Sequence, residues 1–103
     1  MTIFVETRLF TRLIGQYLND DDYASLQSVL ASNPTCGDLV KGTGGVRKLR
    51  WATNGRGKRG GIRVLYFPRL HVSEIWMLTV YAKNVAETIP AHVLRQIREE
   101  IDG

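Results

Sequence analysis

Apolar residues early in the chain recur at helical spacing, and those in the second half at strand spacing. Ile3-Phe4-Val5 is short, apolar and partly β-branched, and predicts an opening strand. Thr7 suits a helix N-cap, and Phe10, Leu13, Ile14, Tyr17 and Leu18 follow at i, i+3, i+4, i+7 and i+8, one face of a helix that Gly15 weakens without forbidding. The carboxylates of Asp20, Asp21 and Asp22 suit the positive start of a second helix. Its apolar face is Tyr23, Leu26, Val29 and Leu30, and Asn33-Pro34 ends it. These two helices predict a hairpin whose apolar sides face a sheet.

From Asp38 the period changes. Gly42-Thr43-Gly44-Gly45 leads into a predicted strand over 46–52. Residues 54–61 hold four glycines and read as a loop. Residues 62–67 predict a strand stopped by Pro68, and 75–81 another, rich in aromatic and β-branched residues. Thr88 and Pro90 make a helix start, followed by an apolar stripe of Ile89, Val93, Leu94, Ile97 and Ile101. Strand, two helices, three strands and a helix predict an α+β fold. An N-terminal strand and helix hairpin pack on a mainly antiparallel sheet, with a C-terminal helix.

The 103 residues, 44% hydrophobic, suit one domain over 1–103. No run of about 18 apolar residues spans a membrane, and the N-terminus lacks the pattern of a signal peptide. One cysteine, Cys36, cannot form an internal disulfide, so a reducing, cytoplasmic location is expected. Cys36 lies in Asn33-Pro34-Thr35-Cys36-Gly37, which reads as a turn after a helix rather than a nucleophile's setting. The net charge of +4 is unevenly spread. No acidic residue lies between Asp38 and Glu74, whereas Lys41, Arg47, Lys48, Arg50, Arg56, Lys58, Arg59, Arg63 and Arg69 do. Like charges repel, so such clustering points to an anionic partner, nucleic acid first. The arginines suit bidentate contacts with phosphate.

Alternation along the strands places these charges. Lys48 and Arg50 point one way, and Arg47, Leu49 and Trp51 the other. If Leu49 and Trp51 face the helices, Lys48 and Arg50 face outward together. Arg63 joins them only if the register of the next strand allows it, and its head is then expected at the surface. Three converging cations can stabilise a pentacoordinate phosphate without a metal, and crowding can lower a lysine pKa until the amine serves as a base. RNA suits this chemistry because it carries its own nucleophile, the 2′-hydroxyl. No carboxylate cluster sits near these residues to argue for magnesium, and two isolated histidines are too few for zinc, so neither metal nor cofactor is expected. The loop Gly55-Arg56-Gly57-Lys58-Arg59-Gly60-Gly61 leads into a strand rather than a helix, unlike a phosphate-binding P-loop. It reads either as a basic loop suited to a large anion such as ribosomal RNA or as a long hairpin turn.

Four blocks in order, Gly42-Thr43-Gly44-Gly45-Val46-Arg47-Lys48-Leu49-Arg50, Gly57-Lys58-Arg59-Gly60-Gly61, Arg63-Val64-Leu65-Tyr66-Phe67 and Leu78-Thr79-Val80-Tyr81-Ala82-Lys83-Asn84, resemble the HigB branch of the RelE/ParE toxin superfamily. The resemblance implies a RelE-like ribonuclease fold and the toxin half of a type II toxin–antitoxin pair. It implies an endoribonuclease that cuts mRNA in the ribosomal decoding site through a 2′,3′-cyclic phosphate, held in check by a helix-turn-helix antitoxin. On the same basis Lys48, Arg50, Arg63 and Lys83 are candidate catalytic residues. Arg47, Arg56, Lys58, Arg59 and Tyr81 are candidate contacts to RNA and ribosome, Tyr81 by stacking on a base. The pattern departs after Lys83: RelE has an arginine where this chain has Asn84, and its later catalytic tyrosine has no counterpart. His92 is the nearest titratable replacement as general acid. ParE relatives share the fold and inhibit DNA gyrase by binding alone, and a non-catalytic RNA-binding module is a third reading.

Overall fold

A computed structural model describes residues 1–52, 61–82 and 89–102. The elements run β1 (Ile3–Glu6), α1 (Arg8–Ile14), α2 (Asp20–Ser32), β2 (Asp38–Leu39), β3 (Arg47–Trp51), β4 (Ile62–Arg69), a 3₁₀ turn (Leu70–Val72), β5 (Glu74–Ala82) and α3 (Ala91–Ile101). The fold is α+β. The five strands form one sheet in the order β1-β5-β4-β3-β2, antiparallel except where β1 lies parallel to β5.

Both helix starts form as their sequences predict. The Thr7 hydroxyl accepts the Phe10 N–H at 3.0 Å, and the Asn19 side-chain oxygen Oδ1 accepts the Asp22 N–H at 2.8 Å. α1 ends at Ile14, sooner than its apolar period. Tyr17 and Leu18 still reach the core, but from the turn that follows. In α2, Leu26 and Leu30 are buried, whereas Val29 is exposed because it lies off the face that meets the sheet.

Every residue of β4 from Ile62 to Phe67 is buried, because helices cover both faces of the sheet there. Ile62, Val64 and Tyr66 pack with Phe10, Ile14, Leu26 and Leu30 under α1 and α2. Leu65 and Phe67 join Val46, Leu78 and Leu94 beneath α3. β5 accommodates this with a register shift, so that Leu65 pairs with Thr79 and Tyr66 with Met77. Pro68 does not stop β4, which continues to Arg69. The reason is positional. β3 accompanies β4 only as far as Tyr66, so Pro68 has one neighbouring strand and lacks a donor where none is needed. The two-residue β2 carries no periodic signal in the sequence.

α3 is tied to the far end of β4. Its Arg98 donates to the Gly44 carbonyl at 2.9 Å and to Asp102 at 2.6 Å, and lies 4.7 Å over the Phe67 ring. Asp102 also faces the Arg69 Nε at 3.2 Å, an ion pair without a well-directed hydrogen bond, while Arg69 bonds Glu74 at 2.8 Å.

The helix-to-sheet crossing after α2 is locked by one side chain that makes two hydrogen bonds. The Tyr66 hydroxyl donates to the Pro34 carbonyl at 2.8 Å and accepts the Gly37 N–H at 2.9 Å. At the base of the β3–β4 connection Gly61 has φ +68, and a Cβ there would stand 2.2 Å from the Trp51 carbonyl oxygen. Gly61→Ala should therefore destabilise by more than about 1 kcal/mol in urea unfolding.

Tyr66 also sets an alkaline limit. Burial pushes its phenol up to about 12, only partly opposed by the Gly37 N–H. The folded state thus keeps a proton that the unfolded chain releases near pH 10. That contribution is intact below about pH 10 and lost as pH rises from about 10 towards about 12. Tyr66→Phe should flatten this loss in a pH series of unfolding midpoints without removing it, because burial and Glu6 raise Tyr23 as well. At neutral pH the same change should cost about 1–3 kcal/mol, since it leaves buried backbone groups without a partner.

Candidate nucleic-acid interface

Strand pairing decides where the cations go. Leu49 and Trp51 pack against the α1 and α2 side, so Lys48 and Arg50 lie on the α3 side. Arg50 pairs with Arg63 across the β3–β4 ladder, and Arg63 pairs with Tyr81 across β4–β5. Partners directly across a sheet share a face with their Cβ atoms about 5 Å apart. Arg50, Arg63 and Tyr81 therefore form one row over three strands. The next row reads Asp38, Lys48, Leu65 and Thr79. The two rows differ in charge. Lys48 has a carboxylate standing across from it on β2, whereas β2 stops short of Arg50.

The row lies at the opposite end of β4 from the Arg69–Asp102 tie, six residues or about 20 Å along the strand. Arg50 is exposed and Lys48 half-buried. Arg63 is only 9% exposed, which corrects the expectation of a surface head. It occupies the central, doubly covered strand, and one of its NH groups lies 3.5 Å from the Ile62 carbonyl. Tyr81 is half-buried, its ring against the apolar cluster of Val46, Leu65, Phe67, Leu78 and Leu94. Burial raises its phenol pKa, and the Arg63 guanidinium pulls the other way.

Other predicted residues fall elsewhere. Arg47 is on the opposite face, where its guanidinium donates to the Gly37 and Thr35 carbonyls at 2.7 and 3.1 Å and helps hold the 34–37 turn. His92 is exposed in the first turn of α3. Arg56, Lys58, Arg59 and Lys83 lie outside the described residues. Cys36 is half-buried and packs against the α1 and α2 core. Sequence reasoning did not connect Tyr81 to the arginines, because only the register of two ladders reveals that link.

A depression of about 250 Å³ lies elsewhere, lined by Thr7, Trp76, Ile97, Glu100 and Ile101. It contains no cation, so the strand row is the better candidate for anion chemistry. Among the described residues no three His, Cys, Asp or Glu side chains gather as a metal site, and no helix is long and apolar enough to cross a membrane. No family model matches the chain.

What the row offers chemically is two arginines paired across the β3–β4 ladder, one buried and one exposed. An oxyanion bound at this pair would take charge-assisted hydrogen bonds from arginine, the strong kind. Inorganic sulfate at millimolar concentration should therefore raise the melting temperature, and Arg50→Thr should abolish that rise. The same variant should change intrinsic stability by no more than about 0.5 kcal/mol, as expected for an exposed side chain. Arg63→Ala should cost more than Arg50→Thr, because the buried stem of Arg63 packs in the sheet.

Proposed function

We propose that this protein is a metal-independent endoribonuclease of the RelE/HigB toxin type, acting on mRNA in the ribosomal decoding site. The observation that carries this reading is the pairing of Arg50 with Arg63 on one sheet face, with Lys48 two residues from Arg50 on the same side. Its partners on this reading are the ribosome, the mRNA and a helix-turn-helix antitoxin that covers or distorts the cationic face, and its place of action is the cytoplasm.

The chemistry follows from the charges. Attack of a 2′-hydroxyl on the neighbouring phosphorus concentrates negative charge on the non-bridging oxygens. On this reading Arg63, buried in β4, and Arg50, exposed on β3, take one oxygen each. Preorganised cations of this kind lower the barrier because they need no rearrangement at the moment of reaction. Lys48 adds charge along the backbone of the RNA. The products are a 2′,3′-cyclic phosphate and a 5′-hydroxyl, and DNA is excluded as substrate because it lacks the attacking group.

Single-turnover cleavage of mRNA on programmed ribosomes tests the reading. The parent protein should cut, leave a cyclic phosphate end, and keep cutting when magnesium is replaced by cobalt hexammine with the ribosomes intact. Arg50→Ala should lower the rate by about a hundredfold, the scale for losing one preorganised charge donor. Intact mRNA after incubation with a folded protein would overturn the proposal. A change in gyrase supercoiling in the same preparation would replace it with the gyrase-binding alternative.

A further inference from the structure

We propose that Tyr81 is the proton donor to the departing 5′-oxygen, an inference that rests on the ribonuclease reading above. Its first support is position. Tyr81 stands directly across β5 from Arg63, which stands directly across β4 from Arg50. A phosphodiester held by the two guanidiniums therefore has the phenol at the Arg63 end of the row. Attack and departure in such a displacement lie on opposite sides of phosphorus, so an acid is needed at one end of the cation pair rather than above it.

The second support is how the ring is held. Tyr81 packs against the cluster of Val46, Leu65, Phe67, Leu78 and Leu94. A ring engaged in this way has less free face for stacking on a base. The alternatives are less well placed. Lys48 lies in the neighbouring row, across from Asp38, and His92 is exposed on α3.

The third support is the proton itself. A phenol is protonated at neutral pH, which suits a donor and not a base, although burial raises its pKa and so weakens it as an acid. Arg63 opposes that effect by favouring the phenolate, the species left once the proton has gone. The step balances as follows. A lone pair of the 2′-oxygen forms the new P–O2′ bond and the 2′ proton passes to water. The P–O5′ bond breaks with its electron pair on O5′, which takes the phenolic proton. The phenolate beside Arg63 regains a proton from solvent. Nothing is oxidised or reduced.

The test separates acid catalysis from stacking and from simple packing. Parent, Tyr81→Phe and Tyr81→Leu proteins are assayed on ribosomes programmed with ordinary mRNA and with mRNA carrying sulfur in place of the bridging 5′-oxygen at the cleaved linkage. A thiolate leaves without needing a proton. Tyr81→Phe keeps the ring and should slow cleavage of the ordinary linkage by about a hundredfold, within the range for general acid catalysis. It should cleave the sulfur linkage at close to the parental rate and co-sediment with ribosomes as the parent does. Parental rates for Tyr81→Phe on both substrates, with only Tyr81→Leu impaired, would overturn the proposal in favour of stacking. An equal loss on both substrates would overturn it in favour of a packing role. If the parent cuts neither substrate, the ribonuclease reading fails and takes this proposal with it; if the parent cuts and Tyr81→Phe is unaffected, only the proton donor is lost.

Discussion

Covering β4 on both faces requires that six consecutive side chains, Ile62 to Phe67, leave water together. Five are apolar and draw α1, α2 and α3 onto the sheet, since burial of a Val, Leu or Phe side chain contributes about 1.5–3 kcal/mol. The sixth is Arg63. A strand buried on both faces normally reads as an uninterrupted apolar run, and a guanidinium within it has a desolvation cost. The register then sets Arg50 opposite it, a second cation on the same face. Local choices that work against stability concentrate at functional sites, and this is the place in the described sheet where two such choices coincide. The apolar residues of β4 build the scaffold, and the exception among them marks the face on which the chemistry is proposed.

Much of this architecture is legible in the sequence. Thr7 caps α1, Asp20, Asp21 and Asp22 fill the first turn of α2, and Leu26, Leu30, Leu94 and Ile97 repeat with a helical period. The alternation of Lys48, Leu49, Arg50 and Trp51 correctly divides charge from core. Three features are not legible, each for a physical reason. β2 is two residues long and has no period to detect. Pro68 signals a strand end, but its consequence depends on which neighbours are present, and β3 has already stopped. The burial of Arg63 is a tertiary outcome: the sequence shows a charge between Ile62 and Val64 without showing that its strand is the central one of the sheet.

The candidate site divides along the same line. Alternation is a property of one strand, so the sequence puts Lys48 and Arg50 together without help. Opposition across strands depends on two registers, one of them shifted between Leu65 and Tyr66. That is why Tyr81, a stacking candidate in the sequence, becomes a neighbour of Arg63 only in three dimensions. It is also why Arg47, adjacent to Lys48 in the chain, sits on the other face and holds the turn at 35–37.

The pairing of β1 with β5 has a consequence in time. Val5 has no strand partner until Trp76 exists, and the Thr7 hydroxyl that caps α1 also donates to the Leu78 carbonyl, 71 residues away. Loops of that length close slowly, and contacts so distant in sequence form late in folding. A chain emerging from its own ribosome could assemble the β3–β4 hairpin early, but the N-terminal strand and helix would wait for the last strand of the sheet. Docking of the N-terminal strand and its helix is thus tied to the appearance of β5, so the two ends of the sheet close together in a single late event.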